Sequence, residues 1–227
     1  MRFIFKTDYD QDIRLAKHGG HVFWYGLLVL LMLTAPWLVD EYWLAQLTFV
    51  LIYAIVGLGL MLLAGFTGLF SLGHAAFLGV GAYTQAVLVN AGLPFPLALA
   101  CAALLSAAVG MVVGLPALRV KGIYLGMATL AFGFIVEEVM ARWEKVTGGN
   151  AGLHVHSPKL FGWELDSTTE FYGLCLVLCV GATLAIVNLM RSPTGRAFVA
   201  IRDSEISAQS MGIHIARYKT LSFALSA

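Results

Sequence analysis

Ser71 and His74 stand among five glycines in the stretch Ala64 to Thr84, AGFTGLFSLGHAAFLGVGAYT, where most other side chains are apolar. In an apolar solvent these two side chains are suited to exchanging hydrogen bonds with a polar solute. Glycines let backbone amides approach it as well. Each interior Gly costs a soluble helix about 1 kcal/mol relative to Ala, so five of them need a reason. One reason is close helix approach, for which Ala75-xxx-Gly79 places two small residues on one face. The other is an opened backbone between Gly68 and Gly73, tolerated at membrane depth only where it is buried in protein or lines a wet cavity. Interrupted apolar segments of this kind point to a solute path. Gly68, Ser71, Gly73, His74, Gly79 and Gly81 are therefore the candidate path residues, with tight packing as the competing account.

The remaining chemistry-bearing residues carry less. Cys101, Cys175 and Cys179 all lie in apolar runs. Cys175 and Cys179 share a helix face without the further ligands a metal needs, so they read as small hydrophobes and no metal site is expected. His154-x-His156 is a weak metal pattern. Nothing matches GxxxxGK[ST], so the chain carries no ATPase motif and is not expected to be an enzyme. Glu137 and Glu138 lie about 22 Å along an apolar run at 1.5 Å per residue. They are expected to reach headgroups, with Glu138 pairing Arg142 one turn on.

The elements that must position these residues follow from composition. The 227 residues are 59% hydrophobic and 12% charged, with a mean hydropathy of +0.83. Those values lie outside the soluble globular range and imply an all-α polytopic membrane bundle. Strands are not expected, because the apolar runs are continuous. A net charge of +1 leaves no electrostatic case for nucleic acid. About six complete spans are expected, over 22–39, 43–63, 64–90, 97–115, 122–140 and 170–190, plus the start of a seventh at LSFALSA. Residues 1–21 form an N-terminal segment, and 22–227 form the membrane domain.

Lys and Arg set the orientation. With the N-terminus inside, eleven of the fourteen fall on one side and only Arg142, Lys145 and Lys159 on the other. The N-terminus and the 191–216 segment are thus expected to be cytoplasmic, and loop 144–169 to face the opposite side. In SPTGRAFVAIRDSEISAQSMGIHIARYK, Ser192 can cap a helix that has Pro193 at its first position. Asp203 can cap a second helix, which Gly212 would stop. Two short helices with scattered apolar residues suit docking into a groove on a partner, or resting on the lipid surface.

Three stretches resemble one family. GLFSLGHAAFLGVGAYTQA (68–86), YLGMATLAFGFIVEEVMARWEKVTGGNAGL (124–153) and RSPTGRAFVAIRDSEISAQSMGIHIARYK (191–219) are similar to the permeases of branched-chain amino-acid ABC importers, in particular their M-type subunit. The resemblance implies a multi-pass inner-membrane permease in a bacterium, which forms the path for branched-chain or related small neutral amino acids. It further implies a related permease as heterodimer partner, two cytoplasmic ATPase subunits that use the ATP, and a periplasmic substrate-binding protein. No cofactor is expected on this chain. Arg202, Asp203, Glu205, Ala208 and Gly212 fall in the stretch similar to the signature that couples to the ATPase. Family members continue well past such a loop, so the chain is expected to be C-terminally truncated. The alternative from a different class is an ion-coupled secondary transporter or channel subunit.

Overall fold

The computed structural model describes residues 19–120, 122–155, 159–160, 163–164 and 167–227. Residues 1–18, Lys121, His156 and Ser157, on which parts of the charge count and the two-histidine pattern rest, lie outside the described residues.

The apolar runs fold as helices. Helix α1 (Gly19–Leu38) holds Pro36 in its last turn, and α2 (Glu41–Leu60) opens with Glu41, an acid favourable at a helix N-terminus. Without a gap α2 widens into a π-helical turn, Met61–Phe66. The chain then leaves the helix from Thr67 to Gly73, with Gly68 at φ +72°. The carbonyls freed here are answered locally: Thr67 Oγ1 donates to Leu62 at 3.1 Å, and the Leu69 amide to Leu63 at 3.0 Å. Local answers of this kind let a broken helix persist in lipid.

Helix α3 (His74–Asn90) follows. It ends in a Schellman turn, Leu93 N–H to Leu88 and Gly92 N–H to Val89, with Gly92 at φ +91°. Helix α4 (Phe95–Gly114) gives way to a 3₁₀ turn at Pro116–Leu118, and α5 (Ile123–Arg142) to the four-residue α6 (Glu144–Thr147). A two-residue antiparallel pairing follows, Lys159 opposite Glu164 and Leu160 opposite Trp163. Continuous apolar runs did not predict that pairing, because it lies in the polar loop. Helix α7 (Thr168–Arg191) is capped by Ser167, α8 (Pro193–Asp203) by Ser192 and α9 (Glu205–Ser210) by Ser204. Helix α10 (Ile215–Ser226) closes the fold.

The second of the short-helix caps differs from expectation. Asp203 is the last residue of α8 and pairs with Arg202, while the Ser204 hydroxyl accepts from the Ser207 amide at 3.3 Å. One extra helical residue moved the cap by one position. Gly212 stops α9 as expected, at φ +84° in a second Schellman turn, with Ile213 N–H on Ala208 and Gly212 N–H on Gln209.

Among the described residues four helices are long and apolar enough to cross a membrane: Glu41–Phe66, α4, α5 and α7. Phe23–Leu38 is shorter, and the expected third span is divided by the break, which leaves α3 with 17 residues. Two groupings carry the bundle. In one, α3, α4, α5 and α10 surround Leu63, Leu69, Phe77, Val113, Leu125 and Phe223. In the other, α2 packs on α7 around Leu44, Leu51, Tyr172 and Cys175, and the Tyr172 hydroxyl donates to the Met32 carbonyl at 2.8 Å. Outward faces stay apolar, with Leu104, Val112 and Ile135 more than half exposed. Lipid would cover such a surface at little cost.

Candidate functional site

The break exists because α3 begins in backbone contact with α5. A Cβ at Gly73 would lie 1.9 Å from the Thr129 carbonyl oxygen, and one at Gly133 would lie 3.5 Å from the Gly73 Cα. The Thr129 hydroxyl accepts from the Leu72 amide at 3.0 Å and donates to the Gly126 carbonyl at 2.9 Å. Beyond this crossing α3 and α5 run in the same direction, and Gly79 faces the thioether end of Met140. Small residues on both helices leave the space between them unfilled.

That space is a half-open cavity of about 630 Å³, with Leu72, Phe134 and Glu137 on its exposed side and within the usual size range of small-molecule sites. Its α3 wall is Leu72, Gly73, Ala75, Ala76, Gly79 and Tyr83. Its α5 wall is Leu130, Gly133, Phe134, Val136, Glu137, Met140 and Ala141. Gly149, Ala151 and Gly152 close one end. The closing loop is pinned by Thr147, whose buried hydroxyl donates to the Met140 and Trp143 carbonyls at 2.6 and 2.8 Å and accepts from the Gly149 amide. Asn90 also reaches across to the His154 carbonyl at 3.0 Å. Among these lining residues the polar side chains are Tyr83 and Glu137.

Of the six candidate path residues, Gly73 and Gly79 line the cavity. Ser71 and His74 are buried beside it, with Ser71 Oγ and His74 Nδ1 unpaired among the described residues. The His74 ring stacks edge-on to Phe77 at 5.6 Å, and its Nε2 side lies by Gly59 and the Ser226 carbonyl. Gly81 faces Ser106 Oγ on α4, and Gly68 faces Arg202. Glu138 pairs with Arg142, as expected. Glu137 does not share that role, because its position on α5 turns it to the cavity. The spacing Leu130, Gly133, Phe134, Glu137, Met140, Ala141 is one helical stripe, legible in the sequence once α5 is placed beside α3.

At the opposite end of the break sits the α8–α9 hairpin. Arg202 Nη1 donates to the Gly65 carbonyl at 3.0 Å, and the Arg202 side chain lies 3.0 Å from where a Gly68 Cβ would stand. The positive φ of Gly68 and this contact both require glycine there. Glu205 bonds Lys219 of α10 at 2.8 Å, and that Lys is 1% exposed. Ala208 is buried, Phe198 packs edge-on to Tyr218 at 6.2 Å, and Ile206 and Met211 project outward at 84% and 82% exposure. The hairpin is thus fixed to the bundle by charge and ring contacts while presenting two apolar side chains outward.

A family model described as branched-chain amino acid transport system / permease component matches residues 42–227. The chain is 36% identical, over 88% of its length, to the high-affinity branched-chain amino acid transport system permease protein LivM of Escherichia coli (strain K12). The LivM of Salmonella typhimurium (strain LT2) gives the same identity and coverage. The chain spans about half the length of these relatives, 54% of each. No solved structure matches it.

Proposed function

Because the chain belongs to the family of branched-chain amino acid transport permease components, we propose that it is the membrane subunit of an ATP-driven importer. It forms the path for branched-chain or related small neutral amino acids. Its partners are a related permease, two cytoplasmic ATPase subunits that hydrolyse the ATP, and a periplasmic protein that delivers the substrate. It sits in the bacterial inner membrane with its N-terminus and residues 191–216 in the cytoplasm, and it binds no cofactor of its own.

The observation that supports this best is that one interrupted segment serves both ends of the machine. Gly73 walls the cavity, while Gly65 and Gly68 are held by Arg202 of the hairpin. On this reading the outward Ile206 and Met211 enter a groove on the ATPase, with Asp203, Glu205, Ala208 and Gly212 shaping the hairpin beneath them. Co-expression of the protein with the proposed permease, ATPase and binding-protein partners, followed by affinity purification and uptake assays, tests it. Ile206→Arg with Met211→Arg should strip the ATPase subunits from the purified complex and abolish ATP-dependent leucine uptake. A double variant that keeps both ATPase subunits and parental uptake would sink the docking assignment.

A further inference from the structure

We propose that Glu137 is the residue in the cavity that recognises the α-ammonium group of the transported amino acid. The inference rests on the permease assignment and gives its cavity a chemistry. Glu137 is the one carboxylate among the described residues lining the space, and it has no ion-pair partner among them. Its neighbour Glu138 is already engaged by Arg142. The cavity therefore holds a single anionic group not committed to structure.

The surroundings fit the rest of such a molecule. Leu72, Leu130, Phe134, Val136 and Met140 offer an apolar wall for a branched aliphatic side chain. Tyr83 supplies a hydroxyl. Glu137 lies one turn, about 6 Å, beyond Gly133, at the crossing where α3 begins. The first turn of α3 begins at that crossing without a side-chain cap, and the positive end of its dipole favours a carboxylate nearby. An ammonium group leaving water needs a charge partner, and a carboxylate supplies the stronger, charge-assisted hydrogen bond. Urea and amides, which carry no ammonium, would gain little from it. The site selects for an amino acid over an uncharged solute of similar size.

The test uses the complete transporter in proteoliposomes, with L-leucine as the probe and purified binding protein supplied outside. Glu137→Gln keeps the shape and removes the charge, and should lower leucine uptake about tenfold, the loss of one charge-assisted bond. Glu137→Asp keeps the anion and should recover most of the uptake. Glu138→Gln, outside the cavity, should transport like the parent. Co-purification of the ATPase subunits is followed in every variant, so a drop in uptake with intact assembly is read as lost recognition. Parental uptake in Glu137→Gln overturns the proposal, and so does an equal loss in Glu138→Gln. Should the parental complex itself show no ATP-dependent leucine uptake, the permease assignment fails instead, which keeps the two failures apart.

Discussion

Two helix crossings in the bundle, α4 with α10 and α3 with α5, use small residues in opposite ways. Where α10 crosses α4, Gly110 and Gly114 bring the backbones together and Phe223 fills the interface. A Gly110 Cβ would lie 2.7 Å from the Phe223 carbonyl oxygen, and Phe223 is fully buried with Leu63 and Val113. Where α3 crosses α5, Gly73 and Gly133 bring the backbones at least as close, but the α3 residues facing the space beyond are Ala75, Ala76 and Gly79, and its aromatics, Tyr83 and Phe134, line it without filling it. Small residues set the distance between membrane helices. Whether the space becomes core or cavity is decided by where the large side chains sit, inserted between the helices as Phe223 is or lining the space as Tyr83 and Phe134 do.

Breaking the tight contact at the cavity crossing should have the largest effect. Gly73→Leu places its Cβ 1.9 Å from a backbone oxygen that cannot move alone, so α3 must leave α5. The expected outcome is loss of folded protein, read as yield of monodisperse material in detergent. A well-folded Gly73→Leu would mean the crossing is looser than described.

Next comes the filled crossing. Phe223→Ala should destabilise by about 3–5 kcal/mol, the usual cost of emptying an aromatic core site. A thermal shift assay on purified protein measures it. A fall of only a few tenths would show that Phe223 does not close the α4–α10 interface. Gly110→Ala overpacks the same interface and should cost about 1–3 kcal/mol in that assay.

The smallest structural effect, and the sharpest on the comparison, belongs to Gly79. A Cβ there meets only the flexible end of Met140, at 3.3 Å. Gly79→Ala should leave the melting temperature within the change expected for less than about 1 kcal/mol, and Gly79→Leu should fill cavity volume and lower uptake. Equal thermal losses in Gly79→Ala and Gly110→Ala would erase the distinction between the two crossings.

Much of this was legible in the sequence, and the exceptions have physical causes. Apolar runs and Pro or Gly punctuation placed α1, α2, α4, α5 and α7 within a few residues, because burial and backbone geometry act locally. The third expected span, 64–90, becomes an α-helix only from His74. Ser192, Pro193 and Gly212 likewise acted through their own neighbours. The four-residue spacing of Ser106, Gly110 and Gly114 on α4 is that of a small-residue packing face, but nothing in it says that α10 occupies that face. Glu137 was harder. At 22 Å along α5 it has the depth of a headgroup anchor, and only the adjacency of α3, a long-range fact, turns it toward a cavity. Arg202 was placed in the hairpin by sequence, yet nothing local says that its guanidinium points back to Gly65. The π-helical turn at Met61–Phe66 also depends on tertiary pull, since its residues are ordinary helix formers apart from Gly65.

The Arg202 contact has a mechanical meaning. A guanidinium on a peptide carbonyl, with its aliphatic stem resting on a glycine, is a joint that resists both sliding and lifting. Only Leu69 to Leu72 separate the clasped Gly65–Gly68 from Gly73. So short a strut has little slack, since each residue spans at most about 3.6 Å. Any rocking of the hairpin by more than that slack must either open the joint or carry the start of α3 with it, and the wall of the cavity moves accordingly.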